Sequence, residues 1–122
     1  MRKVLVADDQ RLVRKVIVAT LSKVIDCEIV EAVDGMEALS LIRQERPALV
    51  LLDIDMPRLN GYEVACAMKA DPATHDIPVV FVSGSSPDEV HGYALALGVA
   101  GVLTKPFSPQ ALRELVQKLL GT

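Results

Sequence analysis

Residues 49–57 read Leu49-Val50-Leu51-Leu52-Asp53-Ile54-Asp55-Met56-Pro57. Four aliphatic residues in a row, with no polar alternation, describe a strand buried on both faces, as in a parallel sheet covered by helices. The run then meets an ionisable group. An unpaired carboxylate at the end of so apolar a segment is costly unless something there uses its charge.

Working outward, Val79-Val80-Phe81-Val82 is a second run of the same kind, followed by Ser83 and Gly84. With β-branched runs elsewhere, five strands are expected over residues 3–7, 28–32, 48–52, 78–82 and 101–104. Helical spacing fills the gaps. Leu12, Val13, Val16, Ile17, Thr20, Leu21 and Val24 make one stripe, and Ala38, Leu41 and Ile42 a second. Val64, Ala65 and Met68 make a third, and Val90, Ala94 and Leu97 a fourth. Leu112, Leu115, Val116 and Leu119 make a fifth. Stripes of this width read as core faces rather than partner grooves. Asp34, Asn60 and Ser108 stand where N-caps are needed, Pro109 at a first helical position, and Gly98 where the fourth helix should stop.

Strict strand–helix alternation predicts an α/β fold: a five-stranded parallel sheet with helices on both faces. The expected strand order is the flavodoxin-like 2-1-3-4-5, which alternation alone does not force. The 122 residues suit one domain, residues 1–122, with little room for a second. Half the chain is apolar, but it has only two Phe, two Tyr and no Trp, so the core must be aliphatic.

A formal charge of −3 with scattered basic residues argues against direct nucleic-acid binding. Arg11, Arg14 and Lys15 are the densest basic group and read as a solvated helix face. Cys27 and Cys66 have no metal-ligand spacing and read as small core side chains. The N-terminal apolar run is too short for a secretory signal, and no stretch approaches membrane-spanning length, so a cytoplasmic protein is expected. His75 and His91 have no neighbouring pattern that makes either a ligand or a base, and Tyr93 fits a partner surface or an ordinary half-exposed position equally well.

In open α/β sheets ligands bind beyond the carboxyl ends of the strands. There the sequence puts Asp8 and Asp9 after the first strand, and Asp53 and Asp55 after the third. Ser83 and Gly84 follow the fourth, and Lys105 and Pro106 the fifth. Crowded carboxylates repel and call for a cation. Their hard oxygens suit Mg²⁺ or Mn²⁺. An ionised Asp53 is a nucleophile able to form an acyl phosphate. A metal, Lys105 and the Ser83 hydroxyl can each neutralise one phosphoryl oxygen, and a small Gly84 leaves room for the group.

Four segments now resemble the receiver-domain family of two-component signalling. They are Val4-Leu5-Val6-Ala7-Asp8-Asp9, Leu51-Leu52-Asp53-Ile54-Asp55-Met56-Pro57-Arg58-Leu59-Asn60-Gly61, Val79-Val80-Phe81-Val82-Ser83-Gly84 and Gly101-Val102-Leu103-Thr104-Lys105-Pro106-Phe107. The resemblance runs over essentially the whole chain. It implies a phosphorylation-dependent switch in which Asp53 is the phosphoacceptor and Ser83 and Lys105 are catalytic partners. Asp9 and Asp8 would ligate the metal together with Asp53 and the backbone carbonyl of Asp55. The implied donor is a phosphohistidine on a sensor histidine kinase or phosphotransfer protein, and the implied target a downstream output protein or domain. The resemblance further implies that the domain catalyses only its own phosphorylation and dephosphorylation, and is not an enzyme turning over a separate substrate. The bond from Lys105 to Pro106 is cis in many members.

Phosphorylation would shift a population toward the active arrangement of the Ser83 loop. The last two helices and the fifth strand are the expected readout surface and the place for any phosphorylation-dependent homodimer. Three positions depart from the family pattern. Val102 replaces a common Tyr or Phe that changes rotamer on activation, Asn60 replaces a common Asp, and Asp55 occupies a variable position that influences dephosphorylation.

Two other readings fit parts of the sequence. Asp53-Ile54-Asp55 is similar to the nucleophile-x-acid motif of haloacid-dehalogenase phosphatases. That motif sits on a first strand, and Asp8-Asp9 would go unexplained. A receiver-like module that binds partners without phosphorylation is favoured by Val102 and disfavoured by the intact polar set.

Overall fold

The computed structural model describes residues 2–23, 26–84 and 87–121. The elements alternate as β1 (Arg2–Ala7), α1 (Arg11–Ser22), β2 (Cys27–Ala32), α2 (Gly35–Glu45), β3 (Leu49–Asp53), α3 (Gly61–Ala70), β4 (Val79–Ser83), α4 (Pro87–Leu97), β5 (Gly101–Thr104) and α5 (Pro109–Leu120). The sheet is parallel throughout, in the expected order β2-β1-β3-β4-β5.

Successive strand side chains point to opposite faces, and each face has its own core. Leu5, Val50, Leu52, Val79 and Phe81 pack with Ala38 and Ile42 of α2, Val64 and Met68 of α3, and Val90 of α4. Val4, Val6, Leu49, Leu51, Val80 and Val82 pack with Ile17 and Leu21 of α1 and with Leu112, Val116 and Leu120 of α5. The continuous apolar runs are therefore explained by burial from both sides: every residue of β3 and β4 is buried.

Those two strands each end one residue later than expected. Asp53 and Ser83 are the last residues of β3 and β4, not the first of the loops. The ladder continues because buried backbone groups require partners. Ile54 N donates to Val82 O at 3.3 Å, and Lys105 N donates to Ser83 O at 2.7 Å. Both polar side chains are thus held by rigid strand backbone.

The boundary signals hold. Asp34 accepts from Glu37 N, Asn60 forms a reciprocal capping box with Glu63, and Ser108 accepts from Ala111 N ahead of Pro109. Gly98 follows α4 with φ +66°, a left-handed conformation suited to glycine. The Lys105–Pro106 peptide is cis.

Two expectations need correction. The α1 stripe is narrower than its spacing suggests: Ile17 and Leu21 are buried, whereas Leu12 is 77% exposed and Val16 is exposed too. These two side chains line an open apolar groove with Val13, Lys105, Pro106 and Phe107. Val24, expected to close that stripe, lies outside the described residues. Cys66 is exposed rather than core, because Val64, Ala65 and Met68 already form the inward face of α3; Cys27 is partly buried. Among the described residues no helix is long and apolar enough to cross a membrane.

Candidate functional site

The carboxyl ends of β1, β3, β4 and β5 bring the predicted polar residues to one rim. Asp8 follows β1 directly, and each of its polar groups is fixed. Its N–H donates to Ala32 O at 3.1 Å, and its Oδ1 accepts from Gln10 N at 2.8 Å. Its carbonyl accepts from Arg14 Nη1 at 2.7 Å. Asp8 Oδ2 is fully buried and forms an ion pair with Lys105 Nζ at 2.9 Å.

Asp53 is 2% exposed, and its Oδ1 is 3.4 Å from Lys105 Nζ. The same oxygen accepts from Asp55 N at 3.3 Å. Ser83 is also buried, on the neighbouring strand, one residue beyond Val82, the register partner of Asp53. A Cβ added at Gly84 would meet nothing within 4 Å, so the space beside Ser83 is open.

Carboxylate oxygens of Asp8, Asp9 and Asp53 lie within 4.8 Å of one another. Three carboxylates face one ammonium, and the electrostatics follow. Burial, then the Asp8 charge, push the Asp53 carboxyl up to about 6 against the opposing pull of Lys105 and the Asp55 N–H. Burial alone would lower the pKa of Lys105, but Asp8 and Asp53 outweigh it and raise it above its ordinary value. Excess negative charge surrounded by hard oxygen donors is a setting that a small divalent cation fits. The Asp55 carboxylate is outside the cluster and exposed.

The loop from β3 to α3 is packed tightly beside the acceptor strand. Gly61 N donates to Ile54 O at 2.9 Å, and a Cβ at Gly61 would lie 2.6 Å from Asp53 O. A Cβ at Gly35 would lie 1.9 Å from Leu59 O. Next to this loop, Tyr62 meets Phe81 edge-on at 5.3 Å and stacks on Tyr93 at 4.3 Å, so Tyr93 has a partner within the chain although it is half exposed. Burial, then Glu89, Tyr93 and Asp55, raise the pKa of Tyr62. His75 and His91 are exposed, His75 in the segment before β4 and His91 on α4.

The sequence reading missed Arg14. Assigned to a solvated helix face, its side chain is only 12% exposed, held between the Asp8 carbonyl and Glu31 Oε1 at 3.1 Å. The available signal was its position one turn into a helix with no acidic residue in its first turn, where a cation opposes the helix dipole and needs another partner.

Comparison with known proteins agrees with this geometry. Residues 4–117 match the response regulator receiver domain family. The chain is 38% identical over 121 residues to a probable transcriptional regulator ycf27 of Cyanophora paradoxa, covering 98% of this chain and 48% of that protein. It is 34% identical over 121 residues to a chemotaxis protein CheY homolog of Campylobacter jejuni, covering 98% of this chain and 93% of that one. The chain thus spans about half the length of the ycf27 relatives and nearly all of the chemotaxis relative. Among solved structures, chemotaxis response regulator CheY4 of Vibrio cholerae superposes with a TM-score of 0.89 at 29% identity over 98% of each chain.

Proposed function

Because the chain belongs to the response-regulator receiver family of two-component systems, we propose that it is a phosphorylation-dependent switch with Asp53 as the acceptor. The observation that carries this reading is the rim itself, where a buried carboxylate, an acid pair, a hydroxyl and an ammonium converge from four strands. Asp53 attacks the phosphorus of a phosphohistidine on a sensor histidine kinase or phosphotransfer protein. The Asp53 oxygen–phosphorus bond forms, the phosphorus–nitrogen bond breaks, and the imidazole leaves and takes up a proton. Lys105 pairs with one phosphoryl oxygen and Ser83 donates to another. Asp8, Asp9, Asp53 and the Asp55 carbonyl would hold Mg²⁺ or Mn²⁺, which when bound neutralises charge on a third oxygen. Water later attacks the acyl phosphate and returns Asp53 and inorganic phosphate. The chain thus acts on itself alone and has no separate substrate.

The apolar groove of Leu12, Val16, Pro106 and Phe107 borders Lys105, so a donor protein seated on it reaches the site. A downstream output protein or domain reads the phosphorylated state from α4, β5 and α5, the surface a phosphorylation-dependent homodimer would also use. The cytoplasm is the compartment this reading implies.

Incubation with Mg²⁺ and acetyl phosphate, followed by intact mass, tests it. One acid-stable, base-labile phosphoryl group is expected, absent with EDTA and in Asp53→Asn. Phosphorylation that persists in Asp53→Asn overturns the assignment, and hydrolysis of small phosphate esters with turnover would favour the phosphatase reading instead.

A further inference from the structure

We propose that Arg14 is a positioning residue for the acid pair, fixing the turn that presents Asp8 and Asp9 to a divalent cation; this rests on the metal-dependent reading above. Asp8-Asp9-Gln10 joins β1 to α1 without regular structure, so its backbone must be held by other groups. One end is tied by Asp8 N to Ala32 O on β2, and the turn is closed by Gln10 N on Asp8 Oδ1. The Asp8 carbonyl is taken by Arg14 Nη1 at 2.7 Å. Arg14 N donates to Gln10 O at 3.2 Å, the first main-chain bond of α1, which places the side chain one turn from the acid pair.

The guanidinium is itself oriented. Its Nε lies 3.1 Å from Glu31 Oε1 on β2, the strand that also supplies Ala32 O. A planar fork can hold two partners at once from one rotamer. Gln10 at the N-cap makes no side-chain cap. Groups that orient the residues ligating a metal commonly change affinity by about 10- to 100-fold when removed.

Charge and position predict opposite signs, which makes the idea testable. Removing a nearby cation should by Coulomb's law tighten divalent binding. Removing a group that holds the turn should weaken it. Mn²⁺ binding is measured on the purified chain by loss of the free-ion electron paramagnetic resonance signal, with thermal melting to verify that each variant is folded.

Arg14→Met keeps the apolar stem and loses charge and donors, and Mn²⁺ affinity is expected to fall about tenfold. Arg14→Lys keeps the charge but loses the planar fork that holds Glu31 and the Asp8 carbonyl together, and its Mn²⁺ affinity is expected to fall between those of the wild-type chain and Arg14→Met. Unchanged or tighter binding by Arg14→Met overturns the positioning role and leaves the metal-dependent switch intact. Absence of Mn²⁺ binding by the wild-type chain overturns the metal-dependent reading and this inference with it.

Discussion

The ammonium of Lys105 lies closer to Asp8, at 2.9 Å, than to the acceptor Asp53, at 3.4 Å. The loop after β5 is thereby tied to the end of β1 across the acceptor strand between them. One cation balances two buried acids, one just after β1 and one at the end of β3, and this has consequences for stability as well as chemistry.

Lys105→Ala leaves those acids unbalanced. The metal-free variant is expected to lose about 2 kcal/mol of stability, less than a fully buried pair would because Lys105 is partly exposed. Mg²⁺ should restore much of the loss and bind more tightly than to the wild-type chain. Phosphoryl uptake should slow on the order of 10²-fold through loss of a charge-stabilising donor. Thermal melts with and without Mg²⁺, and mass against time with acetyl phosphate, check both parts; weaker Mg²⁺ binding would contradict the charge-balance account.

The Asp53 carboxyl, held at about 6 by burial and the Asp8 charge, makes stability pH-dependent without metal. Its folded-state pKa lies above the ordinary 3.8, so the folded chain binds the proton more tightly than the unfolded chain. Stability from this group is therefore greatest below pH 4 and falls until about pH 6. In EDTA, Asp53→Asn should match the wild-type chain near pH 4 and exceed it by on the order of 2–3 kcal/mol at pH 7. Urea unfolding across that window measures the difference, and a difference that does not change with pH would be incompatible with the assignment.

Asp55 is exposed, two residues beyond the acceptor, and its N–H donates to Asp53 Oδ1. Its carboxylate is expected to orient or repel the water that attacks the acyl phosphate. Asp55→Ala is expected to change phosphoryl lifetime severalfold without removing the ability to accept the group. Decay of the phosphorylated mass after removal of donor measures it, and an unchanged decay rate would end the idea.

Gly35 has no room for a side chain, since a Cβ would fall 1.9 Å from the backbone oxygen of Leu59. Gly35→Ala should push the β3–α3 loop away from α2 and cost about 1–3 kcal/mol. Gly84→Ala, which meets open space, should cost far less. Denaturant midpoints of the two variants give the comparison, and equal midpoints would contradict it.

The sequence by itself determined the sheet, its helices and their caps. Apolar runs such as Leu49–Leu52 and short-range cap chemistry at Asp34, Asn60 and Ser108 depend on neighbours in the chain. It also determined which polar residues gather at the rim, because a parallel sheet delivers every strand end to the same side. Tertiary structure decided what no local pattern encodes. Asp53 and Ser83 close their strands because ladder bonds from β4 and β5 extend past the apolar runs. Leu12 and Val16 line an open groove with Pro106 and Phe107, brought there by the loop after β5, and Cys66 points outward because α3 has one inward face already filled. Arg14 serves the acid pair only because β2 runs beside β1 and brings Glu31 and Ala32 against the Asp8 turn. That contact, between residues 17 apart in sequence, depends on strand order and register and so exists only once the sheet has formed.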